Sequence, residues 1–193
     1  MQTDATIRMK HVNSEPTHVT TIYQNLLKHR IDLLSHSLRQ FLSQDSGQAA
    51  GRMTVTRAPG WIRGFTAWAL GIPPADEYDL ALEVTPHGAG QRWARHFGKY
   101  SLTTTQYAWR ELLIERKGLA SLGFDLLVQG ERLLFKPRRA WVLGVRVPLW
   151  LSPQIDAENW PGPAGGWHVR VAFRVPLLGQ VAEYEGEVRA VEN

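Results

Sequence analysis

The chain has 193 residues, with 22 Lys and Arg against 18 Asp and Glu, for a formal net charge of +4 at neutral pH. That length can bury a core of its own, so the fold needs no staples. The absence of cysteine excludes disulfides and thiolate metal sites, and no stretch approaches the roughly 18 uninterrupted apolar residues of a spanning helix.

Residues 1–16 form a loose polar tail without the apolar stretch of a signal peptide, and 17–193 form one domain. A soluble, cytoplasmic protein is the expectation. Val19, Ile22, Tyr23, Leu26 and Leu27, then Ile31, Leu34, Leu38 and Phe41, fall at helical spacing. They predict an amphipathic helix over about 18–43, in one piece or in two meeting near Arg30. Thr17 is its N-cap candidate, and its apolar face should pack on the outside of the domain. "SQDSGQAAG" (43–51) is a linker by composition. "RMTVTRA" then predicts a strand. "APGWIRGFTAWALGIPP" predicts a short helix at about 60–70, with Trp61, Phe65 and Trp68 on one side, buried against a sheet that the helix plugs or covers.

Only strands follow. "EYDLALEVT" (77–85) alternates, and "PHGAG" turns into "QRWARHF". Further strands are predicted at 100–106, 108–116, 124–129, 132–137, 140–151, 167–175 and 180–191. "KPRR" (136–139) looks like a solvated turn, and 152–166 like the one long loop. Turn signals every 8–12 residues mark an antiparallel meander. The predicted fold is α+β, mostly β: about eight or nine strands in a barrel-like or strongly curved sheet. Arg170 and Arg174 should form cross-strand ion pairs with Glu183, Glu185 and Glu187.

In "QRWARHFGKY" (91–100), Trp93, Arg95 and Phe97 share one strand face, and Arg92, Ala94 and His96 the other. If the aromatics point inward, so does a cation. A buried arginine must then find a carboxylate or an anionic ligand. Glu111 and Glu115 share a face with Trp109 and Leu113 and are the candidate partners.

"RWARHFGKYSL", "LLIERKGLASLGFDL", "RAWVLGVRVPLWLSP" and "VRVAFRVPLLGQVAEYEGEV" occur in this order. Over about 23–193 the chain resembles an uncharacterised, mainly bacterial family, domain of unknown function 4166. The matching positions are Trp93, Arg95, Phe97 and Gly98; Glu115 and Arg116; Pro148, Leu149 and Pro153; and Pro176, Leu177, Gly179, Tyr184 and Gly186. The chain departs from the family near 28–36, where a proline-containing break is usual, and at Lys117, where a Phe-Gly pair is usual. The resemblance implies a common fold, in a protein that either stands alone or is the C-terminal partner of an NAD-binding, saccharopine-dehydrogenase-like domain. It brings no catalytic residues.

Seven histidines form no HExxH or paired ligand spacing, so neither a metal nor a cofactor is expected. "GAGQRW" lacks the third glycine of a dinucleotide fingerprint and lies between strands. There is no GxSxG elbow and no phosphate loop. The arginines are scattered and no RNA-binding signature is present, which argues against nucleic acid. The remaining constellation is Arg95 with Trp93, Phe97 and Glu115, walled by further aromatics such as Trp141 and Tyr184. Three functions fit it. One is a binding module for an apolar small molecule with an anionic head, anchored on the Arg95 fork. Another is an enzyme with Glu115 as acid/base and Arg95 as electrostatic stabiliser. The third is a non-catalytic accessory domain of a dehydrogenase-like partner.

Overall fold

The computed structural model describes residues 20–191; the expected tail, Thr17 and Val19 lie outside them. Among the described residues there are three α-helices: α1 (Ile22–Leu27), α2 (His36–Leu42) and α3 (Trp61–Ala69). The strands are β1 (Gly47–Arg57), β2 (Asp76–His87), β3 (Gly90–Phe97), β4 (Tyr100–Trp109), β5 (Leu112–Lys117) and β6 (Ala120–Gln129). They continue with β7 (Arg132–Val142), β8 (Val145–Val147), β9 (Gln154–Pro161), β10 (Trp167–Val175) and β11 (Gly179–Ala190).

The order β6-β5-β4-β3-β2-β1-β11-β10-β9-β7 closes through β6–β7 pairing, and every pairing is antiparallel. The result is a closed up-and-down barrel of ten strands. β8 hairpins onto the upper part of β7 and stays off the ring. The seam between β7 and β9 is short, running only over Leu133–Phe135 against Ala157–Asn159.

Several stretches differ from expectation. The supposed linker 43–51 already contains the start of β1, at Gly47. The strands expected at 108–116 and 140–151 are each broken by a two-residue turn, at Arg110–Glu111 and at Leu143–Gly144, where Arg110, Leu143 and Gly144 take positive φ. The supposed loop 152–166 contains β9, which pairs with β10 along its whole length. Its inward alternation of Ile155, Ala157 and Asn159 is masked in the sequence by flanking prolines and glycines. "KPRR" is no turn but the middle of β7. There Gly123 faces Arg139 while Phe124 faces Pro137, so Arg138 is an extra, bulged residue.

The outer face carries ion pairs. Arg170 meets Glu183 at 2.9 Å, and also Glu158 and Glu185. Arg174 finds Asp156 on β9 rather than a glutamate of β11.

The helices exchange the places expected for them. The N-terminal segment is not one helix. α1 begins at Thr21, whose side chain and that of Gln24 form a capping box. A 3-10 turn over Lys28–Leu33 follows, entered through Lys28 at φ 53°, and then α2. The segment is therefore broken between α1 and α2, with no proline in it. Nor does this segment pack outside. Tyr23 lies against Trp93 and Phe135, and Phe41 against Trp93 and Trp167, so α1 and α2 close one end of the barrel. Conversely, α3 does not bury Trp61, Phe65 and Trp68. All three are exposed, Trp61 by 83%. The helix rests on the barrel through Ala67 instead, with Arg63 Nε donating to the Leu178 carbonyl. Its aromatic stripe is real, but it faces water.

Candidate functional site

Barrel alternation delivers the site. Along β3 every second residue points inward, so Trp93 and Phe97 are buried, Arg95 lines the interior, and Arg92 and His96 are exposed. On β4 the inner row is Leu102, Thr104 and Gln106; on β5 it is Leu113 and Glu115. These rows line an internal cavity of about 510 Å³ with largely apolar walls. That volume lies in the usual range of roughly 300–1,000 Å³ for small-molecule pockets.

At one end of the cavity the lining is buried: Tyr23, Phe41, Trp93, Trp167 and Val188. Tyr23 donates its hydroxyl to Gln106 Oε1 at 2.7 Å, and Trp93 Nε1 donates to Gln91 Oε1 at 3.3 Å. This is the floor. At the α3 end the lining is exposed at Ala69, Lys117, Gly118 and Val142, and this is the mouth. Lys117 Nζ donates to the Leu70 carbonyl there, joining α3 to the β5–β6 turn.

The polar group in the wall is a three-residue knot. Arg95 Nη2 meets Glu115 Oε1 at 3.3 Å, and Arg95 Nη1 donates to Thr104 Oγ1 at 3.0 Å. The Thr104 hydroxyl donates to Glu115 Oε1 at 2.6 Å. The Arg95 and Glu115 side chains are only 15% and 20% exposed. Burial pushes the Arg95 guanidinium down, but Glu115, helped by Tyr184 and Tyr23, more than offsets it and holds Arg95 above its ordinary value. The guanidinium also lies over the Trp93 ring, 5.5 Å from its centre. Two N–H groups bind Thr104 and Glu115. The remaining donors of the fork, and Glu115 Oε2, make no side-chain hydrogen bond among the described residues.

The other expected site residues fall as follows. Tyr184 is buried beside Phe97 and Phe173 and lines the cavity. Its hydroxyl makes no side-chain hydrogen bond among the described residues, and burial raises its pKa. Trp141 borders the cavity, but its ring meets Trp109 edge-on at 5.9 Å on the outer face. Glu111 is exposed in the β4–β5 turn, away from Arg95. Thr104, Gln106 and Tyr23 belong to the site and were not singled out from sequence. The signal for two of them was available: in "YSLTTTQ" the face of Leu102 also carries Thr104 and Gln106.

Fold and cavity together define a small closed β-barrel, plugged at one end, with an apolar chamber and, among the described residues, a single internal ion pair. The chain belongs to the family described as a domain of unknown function (DUF4166), whose model matches residues 34–188. It is similar to the crystal structure of a protein of unknown function from the DUF3598 family of Nostoc punctiforme. The identity is 14% and the TM-score 0.50, covering 75% of this chain and 47% of that one, so the likeness is one of fold. The present chain thus spans about half the length of that protein. No curated protein matches.

Proposed function

We propose that the barrel is a binding module for an elongated apolar molecule with one anionic head group, such as a fatty acid or an isoprenoid acid. The observation that carries this reading is Arg95: a cation on the inner wall of an apolar chamber, with part of its donor fork turned to no protein partner. Glu115 already balances its charge. A head group that joins them should therefore carry a single charge, which favours a carboxyl over a phosphate dianion. Tyr184 offers a further hydroxyl on the same chamber. The enzymatic alternative uses Glu115 as acid/base. Its Oε1 is held by two donors, which favours a fixed anchor over a proton carrier. The family resemblance implies a bacterial cytoplasmic protein that stands alone or accompanies a saccharopine-dehydrogenase-like domain, and the cavity reading does not depend on it.

Native mass spectrometry of protein purified from its own host tests the proposal, together with titration of a fluorescent fatty acid. A co-purifying amphiphile that the probe displaces is expected. An empty protein that does not bind the probe would refute the reading, and turnover of a bound molecule would establish the enzyme instead.

A further inference from the structure

Because strands alternate in direction, the connections sort into two groups. At the plugged end they are "SQDS" (43–46), "GA" (88–89), "RE" (110–111), "GE" (130–131) and "GPAGG" (162–166). These are polar or small and include Asp45, Glu111 and Glu131. At the mouth they are 58–75 with α3, "GK" (98–99), "GL" (118–119), "LG" (143–144), "PLWLSP" (148–153) and "PLL" (176–178). None of these contains an Asp or Glu.

The mouth connections also expose most of the large apolar side chains, among them Trp61, Phe65, Trp68, Leu143, Trp150 and Leu177, whereas the plugged end exposes Leu33 and Val191. Two of them sit in backbone that disfavours them. Leu143 has φ 53° and Leu177 φ 66°, the left-handed region where Gly or Asn is at ease. Leu177 is fully exposed, at 106%. Neither leucine serves the core, so the barrel's own packing does not account for them. Around them stand Arg57, Arg63, Lys99, Lys117 and Arg146, none in an ion pair among the described residues, with Arg57, Arg63 and Lys117 donating to the carbonyls of Pro73, Leu178 and Leu70.

We infer that the mouth end docks onto the surface of an anionic phospholipid membrane. Separate apolar tips, tryptophans among them, enter the headgroup region, and the unpaired cations meet lipid phosphates. The charge pattern selects this partner, because five cations outside ion pairs outnumber the two exposed acids at this end, Asp76 and Glu77 at the start of β2, and the excess complements an anionic sheet. The cavity mouth opens at the same end, so a chamber ligand would pass to or from the bilayer directly. The docking itself does not rest on the cavity reading, since it is measured without any chamber ligand.

The test is co-sedimentation with vesicles of phosphatidylcholine alone and of phosphatidylcholine mixed with phosphatidylglycerol. The proteins compared are the wild type, the triple variant Trp61→Ser/Phe65→Ser/Trp68→Ser, and the pair Leu143→Asn/Leu177→Asn, which suits the left-handed turns. The wild type should bind the anionic vesicles, less so at high salt. Each variant should bind about tenfold more weakly or worse, with an unchanged melting temperature. A wild type that stays in the supernatant with both vesicle types overturns the inference, as do variants that bind like wild type. Sedimentation velocity without lipid provides the remaining check. Self-association that the variants abolish would show that a second copy, not a membrane, covers this face.

Discussion

Arg95 and Glu115 stand two strands apart, on β3 and β5, and their side chains meet at 3.3 Å across Thr104 of the strand between. The inner rows of three adjacent strands make this contact, which no local pattern contains. The pair lies in a largely apolar wall, where each charge alone would be expensive. Thr104 completes it by donating to the same carboxylate oxygen that accepts from Arg95.

Removing half of this pair should therefore cost more than removing both members. Arg95→Met is expected to destabilise by about 3–5 kcal/mol, because it leaves Glu115 buried and unpaired. Arg95→Met/Glu115→Leu should recover most of that loss. Equilibrium urea unfolding of both variants is the measurement. A double variant as unstable as the single one would mean that the unpaired charge is not the cause. Fatty-acid binding should fall at least about tenfold in both, since the anchor is gone in each.

The exchanged roles of the helices give a second expectation. Trp68 is mostly exposed and Phe41 is buried in the plug. Trp68→Ala should change stability by no more than about 0.5 kcal/mol. Phe41→Ala should cost about 3–5 kcal/mol. Thermal melts of the two variants side by side decide the assignment. A larger loss for Trp68→Ala would return α3 to the covering role its sequence suggests.

The barrel was legible because period two is local. In β3 the sequence alone puts Trp93, Arg95 and Phe97 on one face and Arg92 and His96 on the other, and the structure turns the first set inward. The plug was not legible. An apolar helical stripe says that a face is buried, not where, and the stripes of 22–41 and 61–68 look equally suited to a barrel interior. The difference lies in neighbouring small residues: α3 seats through Ala67, while α1 and α2 insert Tyr23 and Phe41. β9 was hidden for another reason, because Pro153, Pro161 and Pro163 bracket it with turn signals. Thr104 was legible in principle but overlooked, as a threonine in a strand ordinarily needs no explanation.

Gly186 in β11 has a steric reason to be glycine. A Cβ there would collide with the Arg52 carbonyl of β1. Gly51 opposes β11 just as closely, against the Glu187 carbonyl. Gly186→Ala must spread β1 from β11 or distort both, and is expected to destabilise by about 1–3 kcal/mol. The loss should appear as a lower urea midpoint and faster amide exchange along β1. An unchanged midpoint would show that the strands separate freely and that the close approach is not required.

Tyr23 and Tyr184 make stability depend on alkaline pH. A tyrosine in the unfolded chain has its ordinary pKa near 10. Burial, reinforced by Glu115, raises both hydroxyls above that value in the folded barrel, although Arg95 partly opposes the shift. The folded state therefore holds more protons than the unfolded state once pH exceeds about 10. Stability is fully present below that point and falls as pH rises through it, by up to about 1.4 kcal/mol per pH unit for each such tyrosine. Ionisation read at 295 nm should show both hydroxyls titrating only as the barrel unfolds. Tyr23→Phe loses the bond to Gln106 and should cost about 1 kcal/mol at neutral pH. Its stability should then decline less steeply with pH than that of the wild type, because one of the two linked protons is gone. Urea midpoints at about pH 8 and about pH 11 compare the slopes. Equal slopes would mean that Tyr23 ionises in the folded protein and that the plug admits water to its hydroxyl.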